Sequence, residues 1–264
     1  MLGRRSWLAL GCGAYLAFVC SQFPAAAAYR WFAPDMLRLA GISGTVWAGR
    51  AELASLAGLP MRELEWNLAA LPLLLGRLSI GFSVRLADGF VNASARASMR
   101  TLTLAGVQAA TSLDALGSLL PLRGARGLIS VDLEQLRIEN RWPTSIVGVF
   151  RLRELQVPPL LPGAGTDAEL VPLGDYELSN VEISSQRVAA RLRDIGGPLE
   201  VEGTVALALE APATLQGAVP SFDGLVRERP GLPDALREPL DFLTVDVDAS
   251  GWRRLDLDPW LSSL

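Results

Sequence analysis

The chain contains no histidine, which removes the commonest general base, the commonest metal ligand and every catalytic triad built on imidazole. Its two cysteines, Cys12 and Cys20, both fall in an apolar run near the N-terminus. The rest of the chain therefore has no thiol nucleophile, no Cys/His zinc site and no internal disulfide. Disulfides are permitted but not demanded in an oxidising compartment, so this count leaves the compartment open. Lysine is absent as well, and every basic residue is arginine, a composition we read as genomic. The net charge is -4 and no basic stripe is present, against a nucleic-acid partner, whose phosphates are held by clustered cations. These deficits predict a protein that is not an enzyme and holds no cofactor or metal.

What is abundant is apolar surface. Of 264 residues, 50% are hydrophobic and 20% charged, enough apolar area to offset the ordering entropy of a packed core. No charge occurs between Arg5 and Arg30. Within that run Trp7, Leu8, Leu10, Tyr15, Leu16, Phe18 and Val19 are the expected membrane anchor. A helix over 6–28 would be about 35 Å long at about 1.5 Å per residue, against a bilayer core of about 30 Å. Arg4 and Arg5 place its start in the cytoplasm by the positive-inside rule, and Trp7, Tyr29 and Trp31 stand where aromatic rings prefer the headgroup level. Two alternatives are a signal peptide cleaved at the small residues Ala25–Ala28 after Pro24, and lipid attachment at Cys12. The length of the uncharged run favours the retained anchor. All three leave the bulk of the chain outside the cytoplasm, and the expected organisation is residues 1–30 as cytoplasmic stub and anchor and 31–264 as a β-rich domain on the non-cytoplasmic side.

In that domain Leu78–Leu86 alternates apolar and polar residues with the period of two that marks a half-buried strand. Similar patterns cover residues 45–52, 64–68, 90–97, 100–104, 129–133, 146–152, 176–178, 181–185, 188–192, 199–209 and 243–247. Asp88-Gly89 between two such runs is a hairpin signal. Helical patterns are few: Thr111–Leu120, Pro233–Leu240 and a turn at Leu71–Leu75. The Pro/Gly-rich stretch at 157–174 is the candidate division into two halves, and 220–239 is a second break in strand rhythm. The fold class expected is mainly β: an N-terminal transmembrane helix followed by curved antiparallel sheets with a few short helices.

Four local patterns bear on chemistry. Trp47 and Trp66 could present indoles to a partner, although packing within the sheet, beside glycines that admit their bulk, is the stronger reading. Asp246–Gly251 matches the opening of a calcium loop, but Leu257 stands where the bidentate glutamate belongs. Asp256 and Asp258 read as a solvated face rather than an acid–base pair. Gly163-Ala164-Gly165 lacks the lysine and following helix of a phosphate loop.

The order Gly44-Thr45-Val46-Trp47-Ala48-Gly49-Arg50-Ala51, then Leu64-Glu65-Trp66-Asn67-Leu68, then Leu73–Leu78, with a β-rich tail ending in Asp248–Trp252, resembles the type II secretion system protein N family. The resemblance implies an inner-membrane protein with a periplasmic domain, an accessory part of the machine that exports folded proteins, and it supplies no catalytic residues. Its partners would be the inner membrane and other type II secretion components, met at strand edges or apolar patches. The rival class is lipid binding or transfer in an apolar groove, as in the AsmA-like envelope proteins that the pattern also looks like. A filled concave face would favour protein contacts, and an open apolar channel would favour lipid.

Overall fold

The computed structural model describes residues 4–32, 37–56, 59–116, 124–140, 142–158, 170–184, 187–208, 219–246 and 250–255. Two helices open the chain, α1 over Arg4–Ser21 and α2 over Ala25–Phe32. The single helix expected over 6–28 is therefore broken, and Pro24 explains the break: it has no N–H for the α1 ladder, and its ring disfavours helical geometry at Phe23. The Pro24 carbonyl instead accepts the N–H groups of Ala27 and Ala28, each at 3.2 Å, and so starts α2. Among the described residues no helix is long and apolar enough to cross a membrane.

The remainder is mainly antiparallel β structure, divided into two compact units. The first, residues 1–87 with 91–98, contains β1 (Leu37–Gly44), β2 (Ala48–Leu56), β3 (Leu59–Leu68), α3 (Ala70–Leu74), β4 (Leu78–Leu86) and most of β5 (Gly89–Ala97), the strands hydrogen-bonded in chain order. Their apolar residues gather on one face: Ile80, Phe82, Val84 and Leu86 alternate with Ser79, Gly81, Ser83 and Arg85 along β4. In the first three strands that alternation slips by one residue at one level. The buried or half-buried pairs are Leu39 and Ile42, Ala51 and Ala54, and Met61 and Leu64, each three apart. Leu39 pairs with Ala54, Ala54 with Met61, Ile42 with Ala51 and Ala51 with Leu64, so the slips align across the sheet. Two residues between them, Gly41 (φ 65°) and Glu63 (φ 49°), adopt left-handed backbone. An extra turn of the chain at this level returns the apolar side chains to the same face.

The second unit, residues 88–90 with 99–264, contains β6 (Thr101–Ser112), β7 (Arg126–Glu139), β8 (Trp142–Val157), β9 (Val171–Ile183), β10 (Arg187–Gly196), β11 (Leu199–Ala208), β12 (Val219–Glu228), α4 (Asp234–Leu243), β13 (Thr244–Asp246) and β14 (Arg253–Leu255). Strands β6 to β12 follow chain order, then β14 and β13. The three-residue slip recurs at Leu152 and Leu155 in β8 beside Glu154 (φ 52°), and at Leu173 and Tyr176 in β9 beside Gly174 (φ 93°). The core lies between this sheet and α4. Leu232, just before the helix, with Leu236 and Leu240 packs with Val171, Tyr176, Leu199, Val201 and Val226, at the spacing of four that one helix face requires. Burial pushes the Tyr176 phenol far above its ordinary value, helped by the Asp194 carboxylate and opposed by Arg229. Its hydroxyl donates to the Leu173 carbonyl at 2.9 Å.

The opposite face of β8, β9 and β10 carries a row of alternating charge. Arg151 and Arg193 lie directly across from Glu177 and approach it at 3.0 and 2.6 Å. Burial by itself would raise the Glu177 carboxyl; the hydrogen bonds from Arg193 and Arg151 outweigh it and hold the group below its ordinary value.

Two expectations need correction. Of the helix expected over 111–120, the described part, 111–116, is not α-helical: β6 runs through Ser112 and a 3-10 turn follows at Asp114–Leu116; residues 117–120 lie outside the described residues. In a strand Thr111 can face the interior, where it is buried, and local leucine spacing lost to that pairing. The break at 220–239 contains β12, whose Pro220 sits at the strand's start, where a missing donor costs little. The strand expected over 243–247 is found as β13 at Thr244–Asp246, with Leu243 the last residue of α4 and residue 247 outside the described residues. The candidate division at 157–174 falls largely outside the described residues, with β8 and β9 paired on either side of it.

Two outcomes follow. Leu236→Ala should destabilise the second unit by about 3 kcal/mol in chemical denaturation, the usual cost of emptying a buried leucine site. Because the folded Glu177 pKa is depressed, its contribution is complete above the unfolded carboxylate value and is lost as pH falls through the folded one. Acid titration of stability should therefore steepen below about pH 4.5 in the wild type and less so in Glu177→Gln.

Candidate functional site: the tryptophan junction

The two tryptophans singled out in the sequence meet in the first unit, where the end of α1 joins the sheet. Gly44 closes β1 with φ 86°, and a Cβ there would lie 2.6 Å from the Ala48 carbonyl oxygen, so the turn at 45–47 needs glycine. The Thr45 N–H closes the turn on the Ala48 oxygen at 2.9 Å. This geometry brings Trp47 to α1, and its indole N–H donates to the Cys20 carbonyl at 2.7 Å. Cys20 is in the last turn of α1, where carbonyls have no partner within their own helix; just beyond the helix end the Phe23 N–H also donates to it, at 3.3 Å. The indole is thus a side-chain cap from across the chain, reinforced by the Val46 N–H donating to the Phe23 carbonyl at 3.0 Å and by a bridge between Pro24 and Thr45.

Trp66 secures the other side of the turn. Its indole N–H donates to the Val46 carbonyl at 3.1 Å, and its ring lies over Gly49, its partner across β2 and β3. A Cβ on Gly49 would come within 2.4 Å of that ring. The glycine therefore makes room for Trp66, across the sheet, rather than for Trp47. Farther along, the Tyr29 hydroxyl of α2 donates to the Leu37 carbonyl at 3.1 Å and accepts the Leu39 N–H at 3.0 Å, closing part of the β1 edge against other strands.

Of the expected anchor residues, all seven fall in α1. Tyr15, Leu16, Phe18 and Val19, whose side chains are described, are exposed, as is Trp31. Trp31 stacks obliquely on Phe23 with centroids 5.9 Å apart. Cys12 and Cys20 are free and exposed. The calcium-loop pattern lies partly, and Asp256, Asp258 and Gly163–Gly165 lie wholly, outside the described residues. Among the described residues no three acidic or cysteine side chains converge as a metal site would require. Sequence reasoning missed the Trp47 cap and the Tyr29 plug; the only signal for them was an aromatic residue at each end of the N-terminal break.

An N-terminal apolar helix capped by a tryptophan of a glycine-framed strand turn, leading into antiparallel sheet, defines a class of β-rich proteins with an apolar N-terminal helix. The comparison with known families identifies which one: the profile described as "Type II secretion system (T2SS), protein N" matches residues 35–256, and the chain belongs to that family. It is 29% identical over 240 residues to the type II secretion system protein N of Aeromonas hydrophila, covering 87% of this chain and 88% of that one. No solved structure matches it.

Trp47→Phe removes the indole donor while keeping an aromatic ring. The loss of about 1 kcal/mol typical of one hydrogen bond should speed amide exchange at Val46 about fivefold. Unchanged exchange there would mean the indole does not hold the junction.

Proposed function

We propose that the chain is a non-catalytic accessory component of the type II secretion system. In this reading α1 holds it at the inner membrane, and the β-rich body lies on the periplasmic side and works by contacts with other secretion components. Family membership supports the secretion role. The observation that carries the anchor is the exposed apolar surface of α1 at Tyr15, Leu16, Phe18 and Val19, joined to the sheet by hydrogen bonds rather than packed into a core. The 18 residues of α1 rise about 27 Å at about 1.5 Å per residue, slightly short of a typical hydrocarbon core. Local thinning of the bilayer absorbs that mismatch, and Phe23 and Trp31 then reach the headgroup level that aromatic rings favour.

Protein contacts are preferred over a lipid groove because α4 fills the apolar face over β9, β11 and β12 with leucines, a part of the sheet where a lipid chain would otherwise lie. The exposed Val245 on the three-residue strand β13 and the exposed Ile195 on β10 offer points of contact. Photo-crosslinking in cells from positions 195 and 245 of the full chain tests this. Capture of other type II secretion components is expected; capture of phospholipid alone would favour lipid transfer and overturn the proposal.

A further inference from the structure

The connection between β3 and β4 has the wrong chemistry for a turn in water. Hairpin turns are ordinarily built of Gly, Asn, Asp, Ser and Pro, yet this one reads Ala69-Ala70-Leu71-Pro72-Leu73-Leu74-Leu75-Gly76-Arg77-Leu78. Leu71 and Leu75 are each 77% exposed, and Leu73 and Leu78 are exposed as well. Adjacent exposed leucines at one tip are a patch that a water-facing surface avoids.

Three features identify what covers them. The backbone closes on itself at the C-terminal end of the turn: the N–H groups of Leu75 and Arg77 donate to the Pro72 carbonyl at 3.0 and 2.9 Å, and that of Gly76 to Leu73 at 3.0 Å. Each group bonded in this way lowers the cost of bringing the segment towards hydrocarbon. Position is the second feature. The Leu68 N–H donates to the Trp47 carbonyl at 2.6 Å, and the Trp47 indole holds Cys20, so the turn leaves the sheet one residue beyond the strand that is tied to the end of α1. Charge is the third: no acidic residue occurs from Leu68 to Val84, and Arg77, exposed, follows Leu75 after Gly76, as suits anionic headgroups.

We propose that the turn centred on Leu71–Leu75 inserts into the interface of the bilayer that holds α1, as a second, non-spanning membrane contact. The inference rests on the anchor reading given above. Five helical residues rise only about 7.5 Å, which suits the shallow insertion of interfacial segments and rules out a span. Two contacts at one end of the first unit fix the tilt of its strands against the membrane, which a single helix would leave free to rotate.

The test uses the full chain with Cys12 and Cys20 replaced by serine, reconstituted in vesicles of phosphatidylethanolamine and phosphatidylglycerol. Single cysteines at Leu75, Leu16 and Ser83 carry an environment-sensitive fluorophore, read with and without lipids bearing a nitroxide high on the acyl chain. The inference expects blue-shifted emission and loss of most intensity to the nitroxide lipids at positions 16 and 75, with neither at 83. Quenching at 16 but not 75, including a blue shift at 75 that nitroxide lipids leave untouched, overturns the second contact and leaves the anchor standing. No quenching at either position overturns both.

Discussion

The last carbonyls of a helix have no donors in their own ladder, and in α1 the carbonyl of Cys20 is met by the indole of Trp47. Much of the first unit is arranged around that bond. Gly44 bends the chain so that Trp47 reaches the helix, Trp66 holds the turn through Val46, and Gly49 leaves space for the Trp66 ring. In the glycine–tryptophan–glycine pattern Gly44 sets the turn and Trp47 makes the bond, while Gly49 serves Trp66. The pattern is a mechanical joint between the apolar N-terminal helix and the β structure.

A sheet with one apolar face needs a cover, and its strands must keep the same face apolar along their length. In the second unit α4 is the cover. Face constancy is maintained by left-handed residues at Gly41, Glu63, Glu154 and Gly174, where apolar positions step by three instead of two. On the polar side, Glu177 between Arg151 and Arg193 shows how charged groups bridge strands.

Period-two alternation was enough to locate β4 to the residue, and Asp88-Gly89 and Pro233 marked a hairpin and the start of α4. Longer strands were read as fragments because each slip interrupts the alternation; 176–178 and 181–185, for example, belong to the single strand β9, joined through Asn180 at φ 52°. Strand β1 was missed for the same reason, its apolar residues being Leu37, Leu39 and Ile42. The order of the motifs from Gly44 to Leu78 gave the family resemblance, which the family match bears out. It could not give the Trp47 cap, because a bond between residues 27 apart leaves no periodic trace; the break of the N-terminal run was legible in Pro24, but the length of the uncharged run outweighed it.

The central claim is that α1 and the sheet of the first unit form one rigid joint. Electron-spin distance measurement between labels at Leu16 and Arg50, in the full chain reconstituted in lipid with the native cysteines replaced, tests it most directly. A rigid joint predicts a single narrow distribution of distances. A broad distribution, as for a helix tethered by a flexible linker, would contradict it.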